Sequence, residues 1–97
     1  MAMPAKMSEE DIQVNLNTLP LWTRVGNSIV RELVTANFVS TVGLLNAVAI
    51  LAEAMDHHPD LFIYGWNKLR VTLSTHDQDG LTEFDFKLAK KIEEIGL

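Results

Sequence analysis

Phe62-Ile63-Tyr64-Gly65-Trp66-Asn67-Lys68-Leu69-Arg70-Val71-Thr72-Leu73-Ser74 holds two strand patterns on either side of a turn. Phe62-Ile63-Tyr64 reads as a strand and residues 65–68 as a turn. Leu69 to Ser74 then alternates apolar and polar side chains at the period of a second strand. Two strands joined by so short a turn run antiparallel, because a parallel pair needs a crossover of about a dozen residues or more. Just upstream, Pro59 closes a long helical pattern that Asn37 can cap and that runs to about Asp56. Its apolar residues form two stripes, Phe38-Val42-Leu45-Ala49-Ala52 and Leu44-Val48-Leu51-Met55. One small sheet covers one side of a helix. The first stripe is therefore assigned to the sheet and the second to an external contact.

Further outward, Ser8 is a good N-cap for a short helix that carries Glu9, Glu10 and Asp11 in its first turn. It should end by about Leu19, before Pro20, with residues 1–7 as a frayed lead-in. Leu21–Val25 and Ser28–Val34 flank Gly26-Asn27, a pair suited to a tight hairpin turn. Downstream, residues 76–80 are a polar loop. Thr82 and Asp85, three apart, resemble a capping box for a last helix with the buried stripe Phe84, Leu88, Ile92 and Ile95. The order is α-β-β-α-β-β-α. It predicts one α+β domain over residues 1–97, a two-layer domain of a four-stranded antiparallel sheet with helices packed on one face.

A formal net charge of −5 argues against a general binder of nucleic acid or anionic membrane, which would carry a basic stripe. There is no cysteine, which excludes a disulfide framework, a thiol nucleophile and a zinc-thiolate site. The N-terminal Met-Ala-Met-Pro-Ala-Lys lacks the apolar core of a signal peptide, and the long apolar stretches are interrupted by Asn and Gly. The expectation is a cytoplasmic protein with no membrane segment.

All three histidines lie in one third of the chain. His57 and His58 stand where the long helix must stop, and His76 follows the strand at 69–74. A helix end and a strand end that meet would bring three imidazoles to one rim, and imidazole is the side chain whose proton comes and goes near neutrality. Glu53, four residues before His57 on the same helix, can reach that ring and set its tautomer, although such a pair is more often an ordinary surface contact. His58 must point elsewhere. Three imidazoles with Glu53 or Asp77 could also satisfy zinc, but adjacent residues rarely converge on one ion and no His-Glu-x-x-His spacing is present. Asp77-Gln78-Asp79-Gly80 echoes a calcium loop poorly, since its glycine is misplaced. No metal site is expected.

The spacing carries a specific resemblance. Glu53-x3-His57-His58-Pro59, six residues to Trp66, nine to His76 and eight to Asp85 resemble the signature of the pterin-4a-carbinolamine dehydratases. Ala52-Glu53, Asn67-Lys68-Leu69, Leu73-Ser74-Thr75-His76-Asp77, Gly80-Leu81-Thr82 and Leu88-Ala89 resemble the family too, and the similarity reaches upstream to Trp22 and Asn37-Phe38.

The resemblance implies dehydration of 4a-hydroxytetrahydropterin to the quinonoid dihydropterin, with no cofactor because the pterin is itself the substrate. It assigns His57 and His76 to proton transfer, with Glu53 orienting His57. His58, Trp22 and Asp77 are assigned to substrate binding. Trp66 is read as core or turn packing, and Asp85 as a structural helix cap. It also implies an aromatic amino acid hydroxylase as pathway partner and a homo-oligomer, a tetramer of two dimers. Some relatives act as a dimerisation cofactor of a homeodomain transcription factor or as assembly factors. A non-catalytic binding module of this fold is therefore the competing expectation.

Overall fold

A computed structural model describes residues 4–96. The two strand patterns of residues 62–74 form a hairpin of β3 (Asp60–Tyr64) and β4 (Lys68–Leu73), antiparallel and in register from Asp60↔Thr72 to Tyr64↔Lys68. A second hairpin pairs β1 (Thr23–Val25) with β2 (Ser28–Val34) around the Gly26-Asn27 turn, where Gly26 takes a φ of +59°. The sheet order is β1-β2-β4-β3, with β4 inside and paired to β2 from Ile29↔Leu73 to Val34↔Lys68. The architecture is α+β, a four-stranded antiparallel sheet with its helices on one face, as predicted. β2 and β3 run the same way with β4 between them, so α2 (Phe38–Met55) is the crossover that joins them.

Alternation along the strands sorts the two faces. Leu69, Val71 and Leu73 of β4 and Ile29 and Leu33 of β2 are buried under the helices. Val25, Val34 and Phe62 stand exposed on the opposite face. Each large core side chain removed from water contributes about 1.5–3 kcal/mol, so this one-sided burial is what holds the layers together.

The stripe of α2 assigned to an external contact, Leu44-Val48-Leu51-Met55, packs on the core, while the stripe assigned to the sheet is split, with Ala52 buried and Phe38 and Val42 turned out. Thr41, Leu44, Val48 and Ala52 face the sheet, whereas Phe38, Val42 and Ile50 face outward. Thr41 decides the rotation. Its hydroxyl donates to the Trp66 carbonyl (2.9 Å) and meets the Thr35 hydroxyl (2.6 Å), which ties α2 to the β3–β4 turn. That turn holds Trp66 at a φ of +56° and 59% exposed, so Trp66 belongs to the turn and not to the core.

α1 (Glu9–Asn17) is capped by Ser8 and buries Ile12. α3 (Glu83–Glu93) is capped by Thr82 and buries Phe86, Leu88, Ala89 and Ile92. Phe84 and Ile95, predicted for that stripe, are only half-buried. Met7 donates its N–H to the Leu81 carbonyl (2.8 Å) and Pro4 is buried, so the described part of the lead-in touches the domain at both ends. Residues 1–3 of that lead-in lie outside the described residues.

Candidate active site

Three chain ends build the site. α2 stops at Asp56, whose left-handed backbone (φ 52°, ψ 42°) turns the chain back on itself, and the His57 N–H then closes on the Ala52 carbonyl at 3.1 Å. This reversal sends His57 inward to 8% exposure and leaves His58 outside. Beyond β4, Thr75 pairs with Gly80 through both backbone groups and encloses a 3-10 turn at His76–Gln78. His76 stands exposed at the tip of that closed loop. The start of α3 supplies Asp85, whose carboxylate accepts from the Thr82 N–H (2.9 Å) in the predicted capping box.

These ends meet around a cleft of roughly 230 Å³ lined by Asp56, His57, His58, Ser74, Thr75, His76 and Asp77. His57 Nε2 lies 2.6 Å from Asp85 Oδ1, and Asp85 is completely buried. The other oxygen, Oδ2, accepts from the Thr75 hydroxyl at 2.8 Å. An ionised carboxylate can only accept, so Nε2 is the donating nitrogen and Nδ1 is left for chemistry. The Phe84 ring meets the imidazole edge-on, with centroids 5.8 Å apart. A ring held by a charge on one side and an aromatic edge on another has one orientation.

Of the predicted site residues, His57, His58, His76 and Asp77 are brought together on this cleft. Glu53 does not hold His57. It lies 3.0 Å from His58 Nε2 in an exposed pair, because α2 ends before His57 and the four-residue spacing no longer sets the geometry. Asp85, assigned to capping alone, both caps α3 and holds His57. Trp22 is buried in the core and donates its indole N–H to Glu93 at 2.7 Å, away from the cleft. The Asp85 partnership spans 28 residues, and no local spacing rule reaches that far. Thr75 was also missed, although a polar residue beside His76 at the end of an alternating strand was a signal.

A larger cleft, 450 Å³, lies beside Leu19, Pro20, Lys90 and Glu93. Its Glu93 carboxylate is engaged by Trp22 and by Arg31 (2.6 Å), so the richer chemistry is at the smaller cleft. Among the described residues no three His, Asp or Glu side chains gather as metal ligands.

Fold and cleft define a class: a small α+β protein with three imidazoles on one cleft, one of them backed by a buried carboxylate. Residues 5–95 match the family model described as Pterin 4 alpha carbinolamine dehydratase. The chain belongs to this family of hydro-lyases. A relative from Sulfurisphaera tokodaii, carrying the provisional name pterin-4-alpha-carbinolamine dehydratase, is 42% identical over 90 residues, covering 93% of this chain and 96% of its own. The crystal structure of a transcriptional coactivator/pterin dehydratase from Brucella melitensis superposes with a TM-score of 0.88 at 33% identity, covering 95% of this chain and 99% of that one. A pterin dehydratase-like protein identified as a RuBisCO assembly factor in the alpha-carboxysome reaches a TM-score of 0.60 at 17% identity, covering 76% of this chain and 84% of that one. This second likeness is one of fold alone.

Proposed function

We propose that this chain dehydrates a 4a-hydroxytetrahydropterin to the quinonoid dihydropterin and water, with His57 and His76 moving the protons. One observation carries the reading: His57, His58 and His76 line one cleft, and Asp85 is buried behind His57. In the reaction a base removes the proton from ring N5. The N5 electrons form the double bond to C4a, and the C4a–O bond breaks as an acid protonates the departing hydroxyl. One proton leaves and one is delivered, so two imidazoles suffice, and no metal or organic cofactor is called for. His57 works through Nδ1, since Nε2 is committed to Asp85. His58, steadied by Glu53, and Asp77 hold the substrate, and Trp22 takes no part. The cleft is below the range of about 300–1,000 Å³ usual for drug-sized ligands. It takes the flat ring system and leaves the pterin side chain outside.

An aromatic amino acid hydroxylase is the partner reaction that makes this substrate, and the cytoplasm is the proposed compartment. The chain is proposed to self-associate through the outward face of α2, where Phe38, Val39, Val42 and Ile50 stand in water on a helix. Monomers rarely leave large apolar patches of this kind uncovered.

The test is the decay of the 4a-hydroxy adduct, generated by a hydroxylase, with and without the purified protein. Decay should accelerate. His57→Ala or His76→Ala should each lose on the order of a hundredfold, the low end for one acid–base group. The double variant should fall to background, and His58→Ala should raise KM instead. An unaccelerated decay, or activity abolished by a chelator and restored by zinc, overturns the reading.

A further inference from the structure

We propose that Thr75 and Thr82 are positioning residues, a relay of two hydroxyls that fixes which nitrogen of His57 carries the proton. The inference deepens the dehydratase reading and rests on it for the kinetic measurement only. Thr75 Oγ1 lies 2.8 Å from Asp85 Oδ2 and 2.7 Å from Thr82 Oγ1. Thr75, Thr82 and Asp85 are all buried. Each hydroxyl has one proton to give. Asp85 can only accept, so the Thr75 proton goes to Oδ2. Thr75 has then spent its only proton, so the bond between the two hydroxyls is a donation from Thr82 Oγ1, which itself accepts from the Phe84 N–H (3.3 Å). Every donor is thereby assigned, and the chain runs one way, from Thr82 through Thr75 to Asp85.

This direction has a consequence at the far end. With Oδ2 saturated by Thr75 and by the Thr82 N–H, Oδ1 is left to face His57 Nε2 as an acceptor. A neutral His57 then offers the Nδ1 lone pair to the cleft as a base, and a protonated one offers Nδ1–H as an acid. Without the Thr75 hydroxyl, Oδ2 loses a buried donor. A carboxyl that took up a proton and turned its O–H toward Nε2 would move the ring proton to Nδ1, the wrong nitrogen for a base. Thr75 has a second attachment: it precedes His76, and its backbone closes the His76 loop through Gly80. The same residue orients one proposed proton carrier and anchors the other. A β-branched threonine suits the task, because its hydroxyl has few rotamers to choose from.

Thr75→Val removes the hydroxyl and keeps the shape, and Thr75→Ser restores the hydroxyl. The nitrogen-15 shifts of His57 in labelled protein report the tautomer without any substrate. Wild type and Thr75→Ser should show the Nε2–H form, and Thr75→Val should show the Nδ1–H form gaining. In turnover, Thr75→Val should lose about tenfold in kcat at unchanged KM, less than the hundredfold expected for losing an acid–base group outright. Thr75→Ser should recover most of that loss. A Thr75→Val protein that keeps the wild-type tautomer overturns the relay. If Thr75→Val does not fold, Thr75→Ala removes the same hydroxyl and should shift the tautomer the same way, while an unchanged ring would overturn the proposal. If the wild type does not dehydrate the pterin adduct, the dehydratase reading fails, and the ring-nitrogen shifts still decide the relay.

Discussion

Asp85 is a carboxylate with no access to water, and such a group survives only where donors replace the lost hydration. Three donors do so: His57 Nε2–H on Oδ1, and the Thr75 hydroxyl and Thr82 N–H on Oδ2. Asp85→Asn tests how far the charge matters. An amide keeps the size but must turn an NH2 toward one of these donors, which leaves a buried pair mismatched at a cost of about 1–3 kcal/mol. If the NH2 faces His57, the ring proton is driven to Nδ1. Turnover should fall on the order of a hundredfold or more, with thermal melting showing a folded but weakened protein. An activity near wild type would reduce Asp85 to a cap. Half of this residue's work was legible, since Thr82-x-x-Asp85 is a local motif that carries its own geometry. The other half was not, because His57 arrives from 28 residues away. Glu53 misled for a related reason. The rule that residues four apart face each other holds only while both are helical, and Asp56 leaves the helix first.

Among the elements, α2 was legible as a helix, with its Asn37 cap and its end at Asp56, but not in its rotation. Apolar residues nearly surround it, so hydrophobic spacing had two equivalent answers. The buried residue that broke the tie is polar: Thr41 is drawn inward by the carbonyl of Trp66, a partner in another element. The open face of the sheet shows the opposite case, a cluster assembled across strands. Glu32 of β2 accepts from Tyr64 of β3 (2.6 Å) and from Arg70 of β4 (2.5 Å). The hydrogen bond to Glu32 raises the Tyr64 phenol above its ordinary range, and the bond from Tyr64, aided by Arg70, lowers the Glu32 carboxyl. Stability linked to a raised phenol is present below the unfolded value of about 10 and is lost as pH climbs through the folded one. For Glu32 the stability is present above its unfolded value and is lost as pH falls through the folded one. Both effects are small at so exposed a site. The chain has a single tyrosine, so phenolate absorbance reports it alone. The wild-type titration should lie above the ordinary tyrosine range and Glu32→Gln should return it toward about 10. Coincident curves would dissolve the cluster in solution.

For the whole molecule, the rotation of α2 decides where self-association can be tested. Val48 is now core, and Val48→Glu would bury an unpaired charge at a cost of several kcal/mol, a large part of the 5–15 kcal/mol that keeps a domain folded. It should unfold the chain. Ile50, 69% exposed on the outward face, is the position to charge. Ile50→Glu should leave the circular dichroism intact and shift sedimentation from the proposed oligomer to a 10.9 kDa species. A wild type that already sediments at that mass would refute the interface. A last consequence belongs to Asp85, which is at once the third residue of a helix and the partner of an imidazole. Helices open from their ends, and local opening takes place far below the free energy of global unfolding. Each time the first turn of α3 comes undone, His57 loses its carboxylate, and on the proposed mechanism the molecule is for that interval folded but incompetent. The working fraction is therefore an equilibrium population, set by how tightly one helical turn stays wound. Warming would silence the cleft before it melted the sheet.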